Sequence, residues 1–389
     1  MRINLSRENL KKILEMENVS EIPFPQLYQL FIEEEELAEY VPDGICQMDP
    51  RNYDRILFNT TRSKRPHDNI SDLSKRVKPS AEKKCIICEG ETTGVIDVAD
   101  LSEGFTFINK NLFPIVYPMG VCANVPSGTS YESTGLPSGK LACGFHFLQW
   151  TSSYHDTDWH NMSLEDRKVV IQRLAALEEK LLKESISIIP KTDPWDDPDG
   201  YHGFVSIVKN YGALVGGSLA HGHQQIALTN IMPNDCLSNL RFERGRGETF
   251  SAYMQRISPP GLVIRNYENA VLILPFFMRR PYEMMLFVKN HKKKYLHQLS
   301  EGEVESLAEG LYDAINAIHY IMPRLGREIA YNLVLHNGPG AGIYLDFHPY
   351  TQELGGFEHL GLFVCQGNPP DAAKYLREVI NASTKDSSY

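Results

Sequence analysis

Two long stretches of the chain carry the same succession of apolar and polar positions. Residues 143–182, CGFHFLQWTSSYHDTDWHNMSLEDRKVVIQRLAALEEKLL, read as a strand, a histidine-bearing loop, a Ser163-x-x-Asp166 capping signal and a long amphipathic helix. Residues 281–322, PYEMMLFVKNHKKKYLHQLSEGEVESLAEGLYDAINAIHYIM, repeat the order, with His291 in the loop and Ser300-x-x-Glu303 as the cap. After each predicted helix comes an extended segment ending in asparagine, Asn210 in GFVSIVKNYG and Asn337 in AYNLVLHNGPG. The pattern predicts an α+β protein of two tandem copies of strand, helix, strand and strand, each roughly 110 to 150 residues long. Residues 1–44, ending in the acidic IEEEELAEY, read as a peripheral helical extension; 45–235 and 236–389 are the two halves.

The copies differ where chemistry is concentrated. SLAHGHQQIALT (218–229) reads as a strand, in which alternate residues share a face, so His221, His223 and Gln225 line one surface. The second copy has GIYLDFHPY there, with only His348 nearby. The first half is expected to carry the reaction and the second to support it.

Composition narrows the class. With 389 residues, 42% hydrophobic and 23% charged, the chain is an ordinary globular one, long enough for two domains. A formal net charge of −10 argues against a nucleic-acid partner, because phosphate backbones need a basic face. The longest apolar runs, such as AVLILPFFM at 270–278, are far shorter than the roughly 20 residues that span a bilayer. The N-terminus lacks the apolar core of a signal peptide, so a cytoplasmic location is expected. Of seven cysteines, Cys122, Cys143 and Cys365 sit in apolar contexts and read as reduced core thiols.

Cys85 and Cys88, in KKCIICEG, are the exception. Two thiolates on a tight loop suit a tetrahedral zinc, and His155 and His221 are the candidates to complete it. With His221 anchored, His223 would be presented as a nucleophile, for which phosphorus is a natural electrophile. The phosphate oxygens would then need donors. Asn210, Ser218 and the amides of Gly216 and Gly217 lie close in sequence, and Arg62 and Arg65 could come from the basic loop NTTRSKRPHDN at 59–69.

VKNYGALVGGSLAHGHQQI resembles the active-site segment of the galactose-1-phosphate uridylyltransferases, the transferase branch of the histidine-triad superfamily. TTRSKRPHD, CIIC, NKNLFPIVYP and GGFEHLGLFVCQGNPPDAAKYLR resemble further motifs of that family in the same order, over most of residues 45–378. The resemblance implies two histidine-triad-like halves, mainly antiparallel sheets with packed helices. It implies that His223 takes a nucleoside monophosphate from a nucleoside-diphosphate sugar, a UDP-sugar being favoured, and passes it to a sugar 1-phosphate, with Gln225 bonding the transferred group. It assigns Asn210 and Ser218 to phosphate, Arg62 and Arg65 to charge neutralisation, Asn111 to ribose, and Phe357 with Glu358 to the sugar. One zinc per chain would rest on Cys85, Cys88, His155 and His221. A second copy of the chain is a candidate partner, and nucleic acid and membrane are not.

Departures from the family pattern qualify this. A sugar-contacting glutamine is replaced by Val364. Tyr344 and Asp346 replace histidines that bind an additional metal in some members, so no second metal is expected. Gly222 and Gln224 replace the usual proline and glycine. Two alternatives stand beside the transferase. One is a phosphorylase of the same fold, cleaving a nucleoside-diphosphate sugar or dinucleoside polyphosphate with inorganic phosphate; the other is a non-catalytic nucleotide-binding protein. For a histidine nucleophile, activity is expected to fall below about pH 6.5, the free imidazole value.

Overall fold

A computed structural model describes residues 4–10, 17–32, 41, 44–65, 85–118, 140–185, 201 and 203–386. Cys122, residues 66–69 of the basic loop and the acidic run 33–40 lie outside them.

A small sheet joins β1 (Ile45–Met48), β2 (Arg55–Phe58) and β5 (Lys140–Leu141) in the order β2-β1-β5. The large sheet has ten strands. Its first-half members are β3 (Val95–Asp100), β4 (Phe105–Lys110), β6 (Gly144–Trp150), β7 (Phe204–Tyr211) and β8 (His223–Thr229). Its second-half members are β9 (Val263–Asn266), β10 (Ala270–Ile273), β11 (Met284–Val288), β12 (Tyr331–His336) and β13 (Tyr344–Pro349). The order β3-β4-β6-β8-β7-β12-β13-β11-β10-β9 reads the same from either edge once the halves are equated. The duplication legible in the sequence is therefore built as one continuous antiparallel sheet, joined where β7 pairs with β12 from Tyr211↔Tyr331 to Ile207↔Leu335.

Helices pack on both faces of the large sheet, most of them on the face that carries the principal core. They are α1 (Phe24–Ile32), α2 (Leu164–Glu184), α3 (Asn234–Arg246), α4 (Phe250–Ile257), α5 (Glu301–Arg324), α6 (Gly356–His359) and α7 (Pro369–Asp386). Both predicted caps form: Ser163 Oγ accepts the Asp166 amide at 3.1 Å, and Ser300 with Glu303 makes a reciprocal box. The copies differ in one respect, since the Asp166 carboxylate turns away to Ser102. Leu174, Leu177 and Leu181 of α2 join Leu307, Leu311 and Ile315 of α5 in the principal core, under Ile207, Ile226, Leu333 and Leu345 of the sheet. No helix among the described residues is long and apolar enough to cross a membrane.

Two expectations need correction. The N-terminal segment is not peripheral: Phe24, Leu27, Leu30 and Phe31 of α1 are buried, and Phe31 meets Tyr117, Phe145 and Phe147 edge-on. The spacing of its apolar residues predicted a helix, but not the first-half sheet that it covers. Asn210 and Asn337 are also not counterparts. Asn210 lies inside β7 opposite Asn332, whereas Asn337 follows β12 and donates to Glu178 Oε1 of α2 at 2.7 Å.

Candidate active site and metal cluster

The strand read at 218–229 begins only at His223. The β6–β8 ladder ends at Trp150↔His223, and Gly222 accepts the Thr151 amide as the two chains part. His223 and Gln225 therefore share a sheet face as expected, but His221 stands ahead of the strand, in a turn. Both imidazoles pack on Trp150, His221 edge-on with ring centroids 5.5 Å apart and His223 tilted at 4.9 Å.

The turn brings His221 to the cysteines. Cys88 Sγ is 3.5 Å from both His155 Nδ1 and His221 Nδ1, Cys85 Sγ is 3.8 Å from His221 Nδ1, and all four donor atoms lie within 4.8 Å of one another. A tetrahedron with metal–sulfur and metal–nitrogen bonds of zinc length has edges of about 3.5 Å, so the cluster can hold a metal ion. The Cys85 thiol is held well below its ordinary range, first by the hydrogen bond from Cys88 and then by His155 and His221. His221 Nε2 lies 2.7 Å from the Ser152 carbonyl. A carbonyl only accepts, so Nε2 carries the proton and Nδ1 is left as the ligand atom.

The same logic fixes His223. Its Nδ1 is 2.8 Å from the His221 carbonyl and must donate, which leaves the Nε2 lone pair free. Burial, followed by the charge of Lys209, pushes its pKa down to about 4. The neutral form then persists well below the free imidazole value. A reaction that needs neutral His223 should stay active at pH 5.5 to 6, contrary to the sequence expectation, and fall only as the pH drops toward about 4. A pH–rate profile of the first half-reaction checks this; an acid limb centred near 6.5 would contradict it.

Gln225 is held by a residue the sequence reading passed over. His146 of β6 accepts the Ile115 amide at Nδ1 (3.0 Å) and hydrogen-bonds the Gln225 side chain. Burial first, then the Arg62 charge, lowers His146 to about 3, so it stays neutral and fixes one orientation of the glutamine. The signal was present in CGFHFLQW, where His146 alternates with Leu148 and Trp150 on the face shared with His223 and Gln225. Trp150 is anchored in turn by Nε1 donating to Asn109 Oδ1 at 2.7 Å.

Beside Trp150 and Gln225 is a cavity of about 190 Å³, lined also by Arg65, Asn111, Phe113 and Ser218. Arg62 donates to the Phe113 carbonyl at 2.7 Å, and burial lowers its pKa to about 10, which leaves it charged at neutral pH. Asn111 Oδ1 accepts the Phe113 amide at 2.9 Å. Asn210 is clamped from the second half by Asn332, whose Nδ2 donates to Asn210 Oδ1 at 2.8 Å. The structure thus gathers Arg65, Asn111, Ser218 and Gln225 round one cavity.

Phe357 and Glu358 stand elsewhere. Phe357 is 61% exposed, and Glu358 closes its own loop by accepting the amides of Gly355 at 2.7 Å and Val364 at 3.0 Å. At the second-half counterpart of the histidine row, Tyr344 stacks on His336, which lies 3.0 Å from Asp346 Oδ2. Cys143 is buried and Cys365 packs partly buried against the core, neither of them in a disulfide.

The mirrored sheet, with a presented histidine beside a Cys2His2 cluster, defines a mixed α+β fold of two histidine-triad-like halves. No family model matches the chain. A solved uridylyltransferase superposes with a TM-score of 0.63 at 18% identity, covering 87% of this chain and 99% of that one. The crystal structure of an ADP-glucose phosphorylase from Arabidopsis thaliana with bound ADP-glucose gives 0.58 at 19%, covering 86% and 97%. In sequence the chain is 24% identical to ADP-glucose phosphorylase of Arabidopsis thaliana over 351 residues, 85% of this chain and 92% of that protein. It is also 24% identical to galactose-1-phosphate uridylyltransferase of Cryptococcus neoformans over 357 residues, 83% and 87%. The resemblance to the galactose-1-phosphate uridylyltransferases holds along most of the chain, and the transferase reading and its phosphorylase alternative each have a named relative.

Proposed function

We propose that the chain is a nucleotidylyltransferase that moves a nucleoside monophosphate from a nucleoside-diphosphate sugar to a sugar 1-phosphate through a covalent nucleotidyl-His223. The observation that carries this is the locked pair: His223 pinned at Nδ1 with Nε2 free, and Gln225 oriented by His146 on the same face. Nε2 attacks the α-phosphorus, a P–N bond forms, and the P–O bond to the sugar 1-phosphate breaks, that group leaving with the electron pair. An acceptor phosphate oxygen then attacks the same phosphorus and the P–N bond breaks, returning His223 to its neutral form. Gln225, Arg62, Arg65, Asn210 and Ser218 supply donors to the phosphate oxygens, and Asn111 stands for the ribose. Zinc, one per chain, suits the two thiolates and two imidazoles of Cys85, Cys88, His155 and His221. When bound it supplies a structural tie between the cysteine loop, the His155 loop and the start of β8. The reading carries a cytoplasmic setting. The exposed apolar run of Phe357, Leu360, Leu362 and Val364 supports a second copy of the chain as a partner.

The choice of acceptor has a specific counter-observation. Val364 has an apolar side chain, and its backbone is already engaged, N–H to Glu358 and C=O from Gln352 Nε2 at 3.0 Å. Val364 itself offers a sugar hydroxyl no hydrogen-bonding group, which favours a phosphorylase as the second reading, in line with the Arabidopsis relative. Either way, sites without a polar partner discriminate weakly between hydroxyl isomers. Incubation of UDP-glucose or ADP-glucose with phosphate, glucose 1-phosphate or galactose 1-phosphate, followed by product analysis, separates the readings. A preference for galactose 1-phosphate over glucose 1-phosphate of roughly 10³-fold would contradict the weak selectivity expected.

A further inference from the structure

Behind the strand that presents His223 lies a buried ion pair that takes no part in the steps above. Lys209 of β7 and Asp158 of the loop after β6 have side chains only 2% and 5% exposed, with Lys209 Nζ 2.7 Å from Asp158 Oδ2. The same ammonium donates to the backbone carbonyl of His223 at 3.1 Å. Asp158 is itself fixed. Its Oδ1 accepts the Trp159 amide at 2.8 Å, and its own amide donates to Asn161 Oδ1 at 2.8 Å. Gly222 makes the room: a Cβ at that position would lie 2.7 Å from the Asp158 carboxylate. The residue between the cluster histidine and the presented histidine is thus glycine because a carboxylate occupies the space a side chain would need.

Stability alone is a poor reason for such a pair. Burying two charges is costly, and an apolar pair of similar volume is often as stable or more so. What an apolar pair cannot do is donate a hydrogen bond to the His223 carbonyl. The peptide from His221 to His223 is gripped at both ends, by its own imidazole on the His221 carbonyl and by Lys209 on the His223 carbonyl. We infer that Lys209, oriented by Asp158 in the space that Gly222 leaves, is a positioning residue that sets the His223 imidazole against the incoming phosphorus. This rests on the reading of His223 as the nucleophile. A displacement of about 1 Å at a reacting atom costs roughly 10²-fold in rate, so a grip on one carbonyl is enough to matter.

The test is rapid-mixing labelling of the full chain with UDP-glucose or ADP-glucose carrying 32P in the α-phosphate, with donor titration and thermal melting in parallel. Lys209→Met leaves the Asp158 charge buried and unpaired and should melt earlier; Lys209→Met/Asp158→Asn removes both charges and should recover the melting temperature. Both variants are expected to take label about 10²-fold more slowly than wild type, with donor affinity unchanged. If Lys209→Met does not fold, the double variant carries the comparison alone. A double variant that melts like wild type and labels at its rate would show that the pair only stabilises the fold, and would overturn the inference. A wild type that takes no label removes the nucleophile reading itself, and this inference with it.

Discussion

Replacing His223 by alanine should abolish turnover while donor binding stays close to that of the wild type. In the proposed mechanism the imidazole supplies the atom to which phosphorus bonds, so its loss removes the covalent route and is worth on the order of 10⁴-fold or more. The proposed substrate donors Arg65, Asn111, Ser218 and Gln225 line a cavity that this substitution leaves standing. Trp150, which packs on His223, stays anchored to Asn109. Steady-state rates and donor titration on one preparation check both halves of this expectation. Retained turnover, or lost binding with turnover per bound donor unchanged, would show that His223 serves another purpose.

The second large effect is on the metal cluster. Cys85→Ser should lower metal content and melting temperature together, because the cluster joins the cysteine loop and the His155 loop to the start of β8. Removing even an outer-shell partner of a metal ligand costs 10- to 100-fold in affinity, so loss of a thiolate should cost at least about 10²-fold, near 2.7 kcal/mol. A chelator should lower the melting temperature of the wild type and leave that of the variant nearly unmoved. Since His221 carries both the cluster and the carbonyl that pins His223 Nδ1, activity should fall with stability. Elemental analysis showing no metal in wild type, with Cys85→Ser equally stable, would contradict the assignment.

What was legible in the chain is what repeats or alternates locally. The two capped helices, the strands flanking them and the pairing of His223 with Gln225 on one face follow from spacing alone, and the motif order located the four cluster residues. What was hidden depends on partners distant in sequence. His146 reads as one polar residue in an apolar strand until the β6–β8 register sets it beside Gln225. Lys209 and Asp158 are 51 positions apart and meet only because β7 and the loop after β6 flank the same end of β8. The end of the strand at Gly222 was misplaced because a face argument assumes that pairing continues, and β6 stops at Trp150. The helix α1 looked peripheral because a short amphipathic segment does not reveal what its apolar side covers.

The central claim is that phosphorus becomes bonded to His223, and one measurement meets it directly. The native protein is incubated with donor labelled in the α-phosphate, without acceptor, then denatured, and the stability of the protein-bound label is followed in acid and in base. A phosphoramidate on an imidazole is acid-labile and base-stable, and a peptide containing residues 221–225 should carry it. Label with that stability, lost in His223→Ala and discharged on adding an acceptor, is the predicted result. No label on native protein, or undiminished label on His223→Ala, would contradict it.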